Sequence, residues 1–251
     1  MVMKFVKIIW VITACFILAA CAGNKTKLPL AGQKVDLKDT RQFLPRQVYD
    51  EKGNAVAYVA SENPYLLMKS KLNKGSVLLF IEAKKAIRNN DFEKAKQKLN
   101  VITQKDTSLA GPWVLLGNIA MEEKQFELAQ SHYQKAIKIT PNNINAYIAL
   151  AKVQRLMGEF HVAQNTLSLV LNIWKDCPEA HLNLGVLYDL YLNQPQKAQQ
   201  HIEAYLFLNG YKNKQAIAWY NEIQSRTGIE KSFIDPKQQV NPSTLMSQFE
   251  G

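Results

Sequence analysis

A single spacing constrains this chain more than any other feature of it. Small and large apolar residues recur with a period of about 34 residues. Counting from Ala110, the series runs Trp113, Leu116, Gly117, Phe126, Ala129, Tyr133, Ala136 and Pro141. Counting from Ile144, it runs Tyr147, Leu150, Ala151, Gly158, Phe160 and Ala163. One period earlier, from Ser76, it gives Ala83, Phe92, Ala95 and Leu99. A fourth unit from Pro178 gives His181, Leu184, Gly185 and Tyr188. Its Ala198 arrives one place late, so the turn through Asn193, Gln194 and Pro195 carries an extra residue.

Each unit reads as two antiparallel helices. Small residues at the eighth and twentieth positions let the helices approach. Large ones at the fourth, seventh, seventeenth and twenty-fourth positions fill the space within and between units. Proline near the end of a unit stops its second helix. No unit buries its apolar face alone, so the units must stack into a superhelix. These residues resemble the tetratricopeptide repeat, and the resemblance spans residues 76–209. It implies an all-α solenoid of antiparallel helix pairs. A further periodic stretch, Gln215 to Arg226, is expected to cap the stack, giving a solenoid over 75–228. Residues 229–251, with Pro236 and Pro242, read as a frayed tail.

The first twenty residues read as an address. Lys4 and Lys7 precede an uncharged apolar run from Ile8 to Ala20. That run is shorter than the roughly 20 residues a spanning helix needs and fits a secretory signal. It ends Leu18-Ala19-Ala20-Cys21. This segment resembles a bacterial lipobox, which implies cleavage after residue 20 and lipid on Cys21. The residues alone also permit an ordinary signal with a chance cysteine, or an uncleaved anchor. Ala22 and Gly23 follow, without the Asp that retains enteric-type lipoproteins in the inner membrane, so the resemblance implies the outer membrane, facing the periplasm. Three cysteines make no disulfide framework. With Cys15 removed and Cys21 acylated, only Cys177 remains, and it reads as a small buried residue rather than a reactive thiol.

On that resemblance, residues 21–74 read as a lipidated N-terminus and a basic tether. They show no sustained helical period and contain Pro29, Pro45 and Pro64. Much of the chain's net charge of +10 lies here, and the segment reads as a mostly irregular, solvated linker. One piece, Gln47 to Val59 around the turn Asp50–Asn54, reads as a small β-hairpin. Another, Asn63 to Leu67, reads as an apolar hook that could dock the tether.

Catalytic chemistry is not legible. No phosphate loop, HExxH or nucleophile elbow occurs, and no two His stand at helical metal-ligand spacing from one another. Glu122 and Glu123 are neighbours in sequence and cannot share a helix face. The chain therefore reads as no enzyme, with no cofactor, metal or small-molecule substrate. The positive charge does not form one helical stripe, which argues against nucleic acid. Protein binding remains. In the tetratricopeptide family the first helix of each unit lines a concave groove. Carried over residue by residue, the resemblance implies groove contacts at Phe80, Lys84 and Arg88, at Val114, Asn118 and Met121, and at Ile148, Lys152 and Arg155. Further positions on the same faces are Ile87, Glu122, Asn145 and Asp189. The carboxylate clamp of chaperone-tail receptors is incomplete. The chain also resembles repeat-containing outer-membrane lipoproteins such as pilotins. That likeness implies a scaffold for a pilus or secretion secretin. Alternatives left open are an adaptor or regulator of a periplasmic peptidoglycan hydrolase or protease, or of a proton-driven envelope motor.

Overall fold

Nine α-helices occur among the described residues, and their limits follow local chemistry. The computed structural model describes residues 36–67 and 73–237. The signal segment, Cys21, the first part of the tether and the end of the tail lie outside the described residues. The helices pair as α1 (Lys74–Arg88) with α2 (Phe92–Lys105), and α3 (Ala110–Glu122) with α4 (Phe126–Ile139). Next come α5 (Ile144–Leu156) with α6 (Phe160–Ile173), and α7 (Pro178–Leu190) with α8 (Pro195–Leu208). A ninth helix, α9 (Lys214–Thr227), closes the stack. Asn73, Asp91, Asn143 and Asn213 cap α1, α2, α5 and α9, each accepting from a backbone N–H of the first turn. Pro178 and Pro195 open α7 and α8, where their missing N–H costs no helical bond. Among the described residues no helix is long and apolar enough to cross a membrane.

Within each pair the turn needs one residue in left-handed backbone. Asn90, Lys124 and Gly158 supply it at the fifteenth place of their units, with φ of 57°, 58° and 79°. In the fourth unit Asn193 supplies it one residue later, with φ of 50°, which is where the extra residue sits.

Helix pairs close through matched sizes. Gly117 faces the Tyr133 ring, and a Cβ there would lie 2.5 Å from Cε1. Gly185 faces Ile202 in the same way. Where the eighth position is Ala83 or Ala151, the partner is the smaller Leu99 or Leu167, and all four are buried. Full burial of a leucine of this kind contributes roughly 1.5–3 kcal/mol. Neighbouring units then share clusters. The largest joins Ile144, Leu171, Leu184, Ile202, Ile217 and Tyr220 across α5 to α9.

The tether departs from the expectation of a solvated linker. Residues 37–67 belong to one compact unit with the solenoid. They run as a strap, over the C-terminal half as far as Ser61 and then, at Tyr65 and Leu66, beside α1. The Lys38 N–H donates to Asn165 Oδ1, and Gln164 Nε2 donates to the Lys38 carbonyl, both from α6. Phe43 packs against the core cluster. The hairpin is reduced to a single antiparallel bridge, Tyr49 to Ala55, closed by Gly53 at φ 84°. Beyond it the chain turns away, because Tyr58 and Ser61 bind Asp176 in the α6–α7 loop. The first residues of the tail are packed rather than frayed. Gln199 Nε2 donates to the Ile229 carbonyl, Ile234 is buried, and Ser232 and the Phe233 N–H both donate to the buried Glu203 carboxylate.

Candidate functional site

The first helices of the second, third and fourth pairs touch along one side of the stack, α3 against α5 and α5 against α7. A groove of about 810 Å³ opens there. Asn118, Met121 and Glu122 reach it from α3, and Asn145, Ile148 and Lys152 from α5. Ile87 closes one end, and Glu179 and Asn183 of α7 the other. The floor is mixed, with methionine and isoleucine between amides. Tyr133 Oη donates to Asn118 Oδ1 at 2.8 Å, which fixes that amide at the groove. Asn183 Nδ2 donates to the Glu179 carbonyl of its own helix, so its acceptor oxygen remains available. Among the described residues no group of three or more His, Cys, Asp or Glu side chains could hold a metal ion.

The groove thus brings together Asn118, Met121, Ile148 and Lys152. The other five residues assigned by resemblance lie elsewhere. Phe80 lines a separate apolar pocket of about 460 Å³ between α1, the start of α3 and Tyr65 of the strap. Lys84 and Arg88 are exposed on α1, outside both cavities. Val114 packs into the α3–α4 core. Arg155 is engaged by Tyr191, donating to its hydroxyl at 2.7 Å with the guanidinium 5.2 Å from the ring centre. Asp189 accepts from Trp219 and Arg226 of α9, so it serves the cap and not the groove. Glu122 faces the groove while Glu123 pairs with Lys96 at 2.9 Å, so the two carboxylates are separated as their adjacency requires.

Sequence reasoning missed one wall. Asn63 and Leu66 of the strap, with Trp174 of the α6–α7 loop, line the groove. Trp174 Nε1 donates to the Ser61 carbonyl at 2.7 Å. The strap is pinned by Asp176, which is 2% exposed and accepts from Tyr58 Oη at 2.6 Å and from Ser61 N and Oγ at 2.7 Å. Burial alone would raise the Asp176 pKa, but these donors outweigh it and hold the pKa below the ordinary aspartate value. Cys177, next in the chain, is buried at the start of α7, and burial pushes its thiol up to about 12.

Residues 117–158 match the tetratricopeptide-repeat family, described as TPR repeat. The solved structure of PilF from Pseudomonas aeruginosa superposes with a TM-score of 0.58 at 18% identity, covering 71% of this chain and 78% of that one. MamA of Desulfovibrio magneticus RS-1 superposes with a TM-score of 0.56 at 17% identity, covering 72% and 97%. The fold is a tetratricopeptide-repeat solenoid. A thermophilic TPR protein of Thermus thermophilus shares it, with a TM-score of 0.52 at 18% identity over 60% of this chain and 81% of that one. Among curated proteins, the BBSome complex member BBS4 homolog of Drosophila melanogaster is 27% identical over 39% of this chain. Superkiller complex protein 3 of Homo sapiens is 31% identical over 28% of this chain. The matched stretches span 20% and 4% of those two proteins, so the likeness lies in the repeat.

Proposed function

We propose that the chain is a non-enzymatic adaptor that holds a protein segment in the concave groove. In this reading Cys21 carries the lipid that anchors it to the periplasmic face of the outer membrane. Its partner belongs to an envelope machine such as a pilus or secretion secretin, whose assembly or stability it assists. The observation that carries the reading is the groove lining: apolar side chains for a partner's apolar residues, interleaved with Asn118, Asn145 and Asn183 amides that suit a peptide main chain. The lipobox-like end at Cys21 supports the anchor.

The test is site-specific photo-crosslinking in cells. A crosslinker at Asn118, Met121 or Asn145 is expected to trap one dominant partner. The same group at Leu169 on the second-helix side is expected to trap none, and Lys152→Glu to weaken the groove crosslink with unchanged circular dichroism. Equal crosslinking from both faces overturns the groove. A secretin or pilus subunit as the trapped protein supports the assembly role; a hydrolase, protease or motor subunit replaces it with an adaptor for that machine. Cys21→Ser is expected to move the protein from the membrane fraction to the soluble one, and retention on the membrane overturns the lipid anchor.

A further inference from the structure

The strap enters the solenoid at Thr40, which is 1% exposed beside two fully buried histidines. His181 of α7 and His201 of α8 face each other through their Nδ1 atoms at 2.9 Å. His181 Nε2 lies 3.1 Å from the Lys175 carbonyl. His201 Nε2 lies 2.8 Å from Thr40 Oγ1, and Thr40 Oγ1 lies 2.9 Å from Tyr188 Oη. Chemistry fixes every proton in this row. A carbonyl only accepts, so His181 carries its proton on Nε2 and, being neutral, accepts at Nδ1. His201 must then donate from Nδ1 and accept at Nε2. Thr40 donates to it and accepts from Tyr188. All the polar atoms are satisfied, in one direction, with one proton per imidazole.

An added proton has no place in this row. On His181 it faces the Nδ1–H of His201, donor against donor. On His201 it opposes the Thr40 hydroxyl proton, and turning that hydroxyl toward Tyr188 Oη leaves the Tyr188 O–H without its acceptor. Surrounding charges do not rescue the cation. On the strap, Asp39 is held by Arg41 in a bidentate pair. On α8, Lys197 adds like charge over the Tyr188 ring, 5.3 Å from its centre. In the α6–α7 loop, Asp176 is taken up by Tyr58 and Ser61. At the start of α7, Cys177 faces Glu179. Of the elements meeting here only the strap lies outside the helical stack, so it is the piece that can leave.

We propose that the His181–His201 pair is an acid-operated clasp: two neutral imidazoles hold Thr40, and a proton on either one releases strap residues 38–43. This goes beyond the groove reading and stands without it. Burial, the largest cause for both residues, lowers His181 from 6.5 to about 4 and His201 well below 6.5. A buried neutral histidine opposes acid: the closed form is fully favoured above 6.5 and loses ground as the pH falls below it. Each pH unit below 6.5 shifts the balance about tenfold for every imidazole that opening exposes.

The experiment is hydrogen exchange of the full chain, corrected for the intrinsic pH dependence, from neutral pH down to about pH 4.5. Strap amides 38–43 are expected to lose protection about tenfold per pH unit while α3–α4 amides keep theirs. Strap protection that ignores pH, or that is lost only together with α3–α4, overturns the clasp. Thr40→Val removes the donor to His201 and is expected to open the strap at neutral pH and abolish its pH response. Wild-type behaviour of that variant also overturns the proposal. Nitrogen-15 imidazole spectra give a second readout. His181 is expected as the Nε2–H tautomer and His201 as the Nδ1–H tautomer, and either ring titrating near 6.5 with the strap still closed overturns it.

Discussion

At the scale of single residues, the repeat is a set of paired requirements, and most were legible because each recurs. The eighth and twenty-fourth positions trade volume, Gly117 against Tyr133 and Ala83 against Leu99. The left-handed place in each turn is another such requirement, and the second unit meets it poorly. Lys124 holds φ of 58° with a Cβ that disfavours it, while the equivalent Gly158 is free of that cost. Lys124→Gly is therefore expected to raise stability by about 0.5–1 kcal/mol, the relief of left-handed strain less the added freedom of the unfolded chain. Lys124 is exposed and its backbone N–H bond to the Met121 carbonyl survives the change. A higher denaturation midpoint with unchanged slope is the expected result. The His181–His201 contact, by contrast, has no signature in the sequence. The two residues are 20 apart, on different helices, and meet only because α7 and α8 cross at Gly185 and Ile202.

At the scale of elements, helices were legible and the strap was not, for a physical reason. A helix repeats its demands every turn, so its pattern shows. The strap is held by single polar contacts far apart in sequence, Thr40 to His201, Tyr58 to Asp176, Tyr49 to Asp235, and one-off contacts leave no period. Its turn at Asp50–Asn54 was readable from turn chemistry, but the strands beside it were not built, because Tyr58 is drawn to Asp176 and an edge-on ring contact with Phe207. The groove inherited the same blind spot, since Asn63 and Leu66 form a wall that no repeat position announces. Asp176 alone accepts three of these bonds, which makes its share testable. Asp176→Ala removes the acceptor of three bonds and is expected to cost about 1–3 kcal/mol of local closing energy. Cleavage by trypsin after Lys52 or chymotrypsin after Tyr58 should then accelerate by roughly five- to hundredfold, with solenoid helices still resistant. Because the Asp176 pKa is lowered, its share of the strap's stability is present above the ordinary value of 3.8 and lost as the pH falls through the folded value. Unchanged cleavage would show that the strap is held elsewhere.

At the scale of the whole molecule, a stacked repeat protein is as stable as its neighbours make each unit, and here the two ends differ. The C-terminal end is closed three times over. Helix α9 covers α8, residues 229–235 lie over Gln199 and Glu203, and the strap covers α6 to α8. Among the described helices the N-terminal pair packs chiefly on α3. Its cluster of Ala83, Ala95, Leu99 and Ile102 reaches Leu116 and Ile119 of α3, and α1 leaves Leu78 and Ile81 at 59% and 56% exposure. Unfolding should therefore begin at α1–α2 and travel toward the C-terminal end. Native-state hydrogen exchange in low denaturant is the measurement. Amides of α1 and α2 are expected to open at a lower free energy than those of α6 to α8, with α3 and α4 between them. Exchange that opens every helix at one free energy would mean that the stack behaves as a single cooperative block, and earlier opening of α8 or α9 would mean that the strap and tail add nothing to the end they cover. The gradient also bears on the groove. Ile87, at one end of it, sits on the pair expected to open first, while Asn183 sits on one expected to open last, so a segment laid along the groove would gain most of its ordering at α1–α2. A bound partner is then expected to raise protection there more than anywhere else in the solenoid.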